Sequence, residues 1–137
     1  MTQSERRLEL IRLLLAEKIV REPVGIPEDE RGQKDLLRAL MNVRPARPVN
    51  GRFMEIQDAY LKEENSRDAV SVSSLEPIPS DPRLILWQGD ITRLDADAIV
   101  NPANSGLTGC YIPLHSCLDK ATHIRITHPS NYIMASC

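Results

Sequence analysis

The chain has 137 residues, 42% of them apolar and 26% charged, which is the composition of one ordinary globular domain and neither a disordered chain nor two full domains. A formal charge of -2 excludes a general nucleic-acid binder, because such a protein needs a basic face to displace counterions from phosphates. With one Phe, one Trp and three Tyr, any core must rest on aliphatic side chains.

The segment Met1 to Val20 does not read as a signal peptide. Arg12, Glu17 and Lys18 interrupt it and no small-residue cleavage site follows. No run approaches the roughly 20 apolar residues that cross a bilayer, so the expectation is a cytoplasmic protein with no membrane partner. Residues 4–20 have helical periodicity, with Leu8, Ile11, Leu15 and Ile19 on one face and Leu14 beside them. Thr2 and Glu5 have the spacing of a capping box, and Pro23 ends the pattern.

A second helix is predicted over 28–42, with Leu36, Leu37, Leu40 and Met41 as its apolar face. Pro45 and Pro48 break the chain after it. A third is predicted over 52–64, with Phe53, Ile56 and Tyr60 on one side. Residues 1–64 therefore read as a helical extension with a packing role, and 65–82, rich in Ser and Pro, as a linker with a short strand at Val70 to Val72.

Residues 83–137 read as the start of an α/β unit. The runs Arg83 to Gln88 and Asp97 to Asn101 are short, apolar and bounded by polar turns, the pattern of strands buried on both faces. Gly89-Asp90-Ile91-Thr92 lies between them. The polar loop Asn101-Pro102-Ala103-Asn104-Ser105-Gly106 follows the second, at a strand end where ligands of open α/β sheets sit. Asp90 is placed to reach a nucleobase or ribose, and Asn101 and Asn104 to reach a sugar; both Asn residues are equally ordinary turn residues.

The sharpest local feature is Cys110-x4-His115-x-Cys117. Thiolates and imidazole are preferred Zn²⁺ ligands, and three protein ligands with an open fourth position describe a catalytic zinc. His123 and His128 are candidates for a fourth ligand in a structural site. By spacing alone, two buried thiols beside a surface His read equally well. Three clustered cysteines, with Cys137 the last, do not make a disulfide framework. Asp119 reads as a general base, a partner that orients a ligating His, or a solvated charge in a first helical turn.

Taken in order, Gln88-Gly89-Asp90-Ile91-Thr92, Asp97 through Asn104, and Gly109-Cys110 through His115-Ser116-Cys117-Leu118-Asp119 resemble the macrodomain family, most of all its zinc-containing bacterial and fungal branch of protein ADP-ribosylhydrolases. The resemblance covers about residues 84–123. It implies a three-layer α/β/α fold preceded by a helical N-terminal extension. It implies that Asp90, with Ile91 beside it, meets the adenine amino group, and that Asn104 faces the distal ribose, with Asn101 in the same binding segment. Cys110, His115 and Cys117 become zinc ligands, and Asp119 the acidic residue near that ribose.

The implied reaction is zinc-dependent hydrolysis of the bond between the distal ribose and a protein side chain, with zinc polarising a ribose oxygen or activating water and Asn104 and Asp119 as the catalytic pair. The implied partners are ADP-ribose or an ADP-ribosylated protein. The alternatives are a module that binds ADP-ribose without cleaving it, or a non-functional fragment. Two departures stand out. Pro102 replaces an Ala usual in the family, and no Gly follows Gly109, so the Gly-rich phosphate loop has no counterpart. From Ile124 onward the match ends, and the expectation is a truncation or frameshift after about residue 123.

Overall fold

The computed structural model describes residues 1–17, 23–45, 48, 50–103, 105–106, 109–115, 117–125 and 132–136. Helix α1 spans Gln3–Ala16, α2 Glu30–Val43 and α3 Gly51–Ser66. The capping box forms as its spacing predicts: the Thr2 hydroxyl accepts from Glu5 N–H at 3.2 Å, and Glu5 Oε2 accepts from Thr2 N–H at 2.7 Å. Asp29 and Asn50 cap α2 and α3 in the same manner, accepting from Gly32 and Phe53 N–H. Each such cap supplies about 1 kcal/mol by satisfying an amide the helix cannot.

The three helices enclose the core. Leu10, Ile11 and Leu14 of α1 are fully buried against Leu37, Leu40, Phe53, Ile56, Tyr60 and Leu61. The predicted faces of α2 and α3 hold, with Leu36 and Met41 partly buried at the margin. That of α1 is rotated: Arg7, Leu10, Ile11 and Leu14 point inward, while Leu8 and Leu15 are only half-buried. The rotation is possible because each nitrogen of the Arg7 guanidinium finds a partner, donating to Gln33 Oε1, Glu30 Oε1 and Ser4 Oγ. The helix also ends earlier than predicted, at Glu17, whose N–H turns back to Leu14 and Leu15 carbonyls; the predicted residues beyond it lie outside the described ones.

Strand β1 (Val70–Ser71) forms where expected and pairs in parallel with β2 (Leu94–Asp95). Strand β3 (Ala98–Pro102) pairs in parallel with β4 (Tyr132–Ser136), in register from Ala98↔Tyr132 to Pro102↔Ser136. Helix α4 (Leu118–Arg125) lies between them in sequence and packs on β3. The described residues thus combine helices with small parallel sheets, an arrangement compatible with the α/β class. The tail, which sequence reasoning left unmatched, contributes β4.

The buried strand predicted at Arg83 to Gln88 does not form. Leu86 is 88% exposed and Leu84 55%. Two successive turns, each with Pro at its second position, consume the approach: Asp81 N–H bonds to Ile78 carbonyl and Leu84 N–H to Asp81 carbonyl. Arg83 then closes a fork onto Asp81, and residues 84–88 have no strand partner among the described residues. Among the described residues no helix is long and apolar enough to cross a membrane.

Candidate metal centre

The loop between β3 and α4 carries the Cys and His residues, and its backbone explains how eight residues converge. Gly109 is buried with φ of 70°, a left-handed conformation that a side chain would oppose, and it aims Cys110 back toward the loop. Ile112-Pro113-Leu114-His115 then forms a tight turn closed by His115 N–H to Ile112 carbonyl at 3.3 Å. Pro113 at the second position and φ of 54° at Leu114 are the marks of a type II turn. The turn folds His115 over Cys110, with Nδ1 3.2 Å from Sγ.

Cys117 follows at the N-cap of α4, its carbonyl accepting from Ala121 N–H at 3.0 Å. The ligand atoms of Cys110, His115 and Cys117 all lie within 4.8 Å of one another. Tetrahedral coordination at ordinary Zn–S and Zn–N lengths separates sulfur from nitrogen by about 3.5 Å. The donor set and its span therefore fit zinc. His115 beside Cys110, and then the Ile112 N–H, hold the Cys110 thiol below its usual range, which favours the form that ligates a metal.

A Leu in left-handed backbone costs about 1 kcal/mol, and its side chain here is 46% exposed. Leu114→Gly is therefore expected to be more stable to urea than Leu114→Ala by about 1 kcal/mol, the reverse of the usual order of these residues. Equal or reversed stabilities would show that the turn does not hold this residue left-handed.

Asp119 stands in the first turn of α4, two residues beyond Cys117. It is 6% exposed and accepts from Asn101 Nδ2 at 2.8 Å; Asn101 is fully buried on β3. The structure thus joins two of the residues singled out in sequence, across the strand-to-helix junction. Asp90 sits elsewhere on the chain, as the N-cap of a short 3₁₀ turn at Ile91–Arg93. Its Oδ1 accepts from Thr92 N–H and Thr92 hydroxyl, at 3.0 and 2.7 Å, and its Oδ2 lies 3.9 Å from Arg93 Nε. The Trp87 indole lies against Gly89, leaving no room for a Cβ there. Ile91 is half-buried beside Asp90. Asn104, His128 and Cys137 lie outside the described residues, and of His123 only the backbone position in α4 is described.

A cavity of about 500 Å³ separates the helical lobe from this region, with Asp90 and Cys117 on its wall together with Lys34, Arg38 and Leu118. That volume is within the range of small-molecule sites. The sequence suggests no chemistry for the helical lobe, yet α2 reaches the Cys/His loop directly. Asn42 Nδ2 donates to Ile112 carbonyl at 3.3 Å and Arg38 Nη2 to His115 carbonyl at 3.4 Å. Helical spacing puts positions 38 and 42 on one face, but nothing local in the sequence marks Asn42 as buried, or either residue as bonded to a loop 70 or more residues away.

No family model matches the chain. Among curated proteins, it is 47% identical over 126 residues to a protein of Treponema medium named protein-ADP-ribose hydrolase, covering 90% of this chain and 48% of that protein. It is 38% identical over 123 residues to a protein of the same name from Staphylococcus aureus strain Mu50, covering 89% of this chain and 46% of the other. A protein of Fusarium oxysporum f. sp. cubense named as a probable bifunctional ADP-ribose hydrolase/ADP-ribosyltransferase is 32% identical over 98 residues, 64% of this chain and 16% of that protein. The chain thus spans about half the length of the bacterial proteins named protein-ADP-ribose hydrolase, to which it is similar over nine-tenths of its own length.

Proposed function

We propose that the chain carries the metal-holding and ribose-facing part of a zinc-dependent, macrodomain-type protein ADP-ribosylhydrolase. The observation that carries this reading is the convergence of Cys110, His115 and Cys117 at the start of α4, with Asp119 in the first turn of that helix tied to Asn101 of β3. The names of the relatives supply the substrate class, an ADP-ribosylated protein.

In this reading Cys110, His115 and Cys117 hold the ion, which supplies Lewis acidity toward an oxygen of the distal ribose. Asn101 fixes Asp119, which takes a proton from the attacking water. Asn104 faces the ribose, and Asp90, with Ile91, meets the adenine. The shared wall of the cavity supports one ligand spanning Asp90 and Cys117. The thiol ligands suit a reducing compartment such as the cytoplasm.

The test uses the zinc-reconstituted chain and a mono-ADP-ribosylated protein, with free ADP-ribose measured chromatographically. Release is expected to stop on addition of 1,10-phenanthroline and to return with added zinc. Release that persists through chelation removes zinc from the mechanism. Saturable ADP-ribose binding without release assigns the chain to recognition alone.

A further inference from the structure

We infer that Asn42 and Arg38 of the helical lobe are positioning residues for the metal loop, so that α2 sets the geometry in which Cys110 and His115 meet an ion. The inference rests on the proposed metal site and adds residues outside its ligand set.

Ile112 is the hub of the argument. It stands two residues after Cys110 and opens the turn that carries His115. Its carbonyl accepts twice, from His115 N–H at 3.3 Å and from Asn42 Nδ2 at 3.3 Å. A carbonyl has two acceptor sites, and both are used here. One carbonyl of the turn therefore ties the second ligand and α2 together, two residues from the first ligand. Arg38, one helical turn before Asn42, donates to the carbonyl of His115 itself. The two contacts grip both ends of the turn that carries His115.

The burial of Asn42 argues that this contact is not incidental. The residue is 1% exposed, and a buried amide is tolerated only where it finds partners. Its Nδ2 donates to the Ile112 carbonyl of the Cys/His loop, and its Oδ1 accepts no hydrogen bond among the described residues. An apolar side chain at the end of α2 would meet the core at less cost. Groups that orient ligating residues typically control metal affinity by 10–100-fold when removed.

The test measures zinc affinity by chelator competition on the whole chain, together with the visible spectrum of the cobalt-substituted protein. Asn42→Asp keeps the shape but replaces the donor with a carboxylate oxygen facing the Ile112 carbonyl. It is expected to weaken zinc by about tenfold or more and to shift the cobalt bands that report ligand geometry. Ile56→Val, in the core of the same lobe, is expected to lower the thermal midpoint while leaving zinc affinity and the cobalt spectrum as in wild type. If Asn42→Asp does not fold, Arg38→Ala carries the test, with several-fold weaker zinc expected.

Wild-type zinc affinity and cobalt bands in a folded Asn42→Asp variant would overturn the inference and leave the proposed function standing. A wild-type chain that binds no zinc would overturn both. Weakening in Ile56→Val equal to that in Asn42→Asp would show that the lobe acts only through overall stability.

Discussion

Cys117→Ser is expected to lower zinc affinity by at least about 100-fold and to abolish release of ADP-ribose from a modified protein. The magnitude follows from comparison: removing groups that merely orient a ligand costs about 10–100-fold, and a thiolate ligand contributes more than its supports. The variant is informative because of where Cys117 sits. Its carbonyl opens the hydrogen-bond ladder of α4, and serine is among the best residues for that N-cap position. The helix should persist while the soft donor is lost, so folding and chemistry separate. Chelator competition reads the affinity and circular dichroism checks the helix. Unchanged affinity with an intact helix would mean that Cys110 and His115 hold the ion without Cys117, and that the proposed triad is wrong.

The candidate metal centre differs from the helices behind it in how it is encoded. Its three proposed ligands fall within eight consecutive residues, and the turn that folds them together is built from local chemistry: a left-handed Gly109, Pro113, and a left-handed Leu114. Such a cluster is legible from sequence because no distant contact is needed to assemble it. The capping box at Thr2 and Glu5, and the burial of Phe53, Ile56 and Tyr60, are legible for the same reason. Each depends on spacing within one element.

Features set by distant contacts were not legible. Helix α1 offers two overlapping apolar stripes, and packing against α2 and α3 selects Leu10 and Leu14 over Leu8 and Leu15. The apolar run at 84–88 has strand-like composition, but a strand exists only with a partner, and the Pro turns before it lead the chain away. The Asn42 contact bridges 70 residues, and the Asn101–Asp119 bond bridges 18. Sequence reasoning named Asn101 and Asp119 separately, as a sugar-facing amide and a base. Their direct bond shows that one of them can act through the other.

That bond makes Asp119 the second decisive position. Asp119→Asn is expected to lower ADP-ribose release by about 100-fold or more, the usual contribution of a positioned acid or base, while leaving zinc affinity within a few-fold of wild type. The asparagine oxygen can still accept from Asn101 Nδ2, so the tie between β3 and α4 survives the loss of charge. Asp119→Ala removes the tie as well. It is expected to cost a further 1–3 kcal/mol or so in urea denaturation, because a buried amide loses this acceptor. The pair of variants divides two roles that the position could combine. Full turnover in Asp119→Asn, with destabilisation only in Asp119→Ala, would make Asp119 a strap between strand and helix and move the proton acceptor elsewhere. Loss of turnover in both, with stability lost only in the alanine variant, would leave the carboxylate as the group that activates water, held by Asn101 beside the ligand at the start of α4.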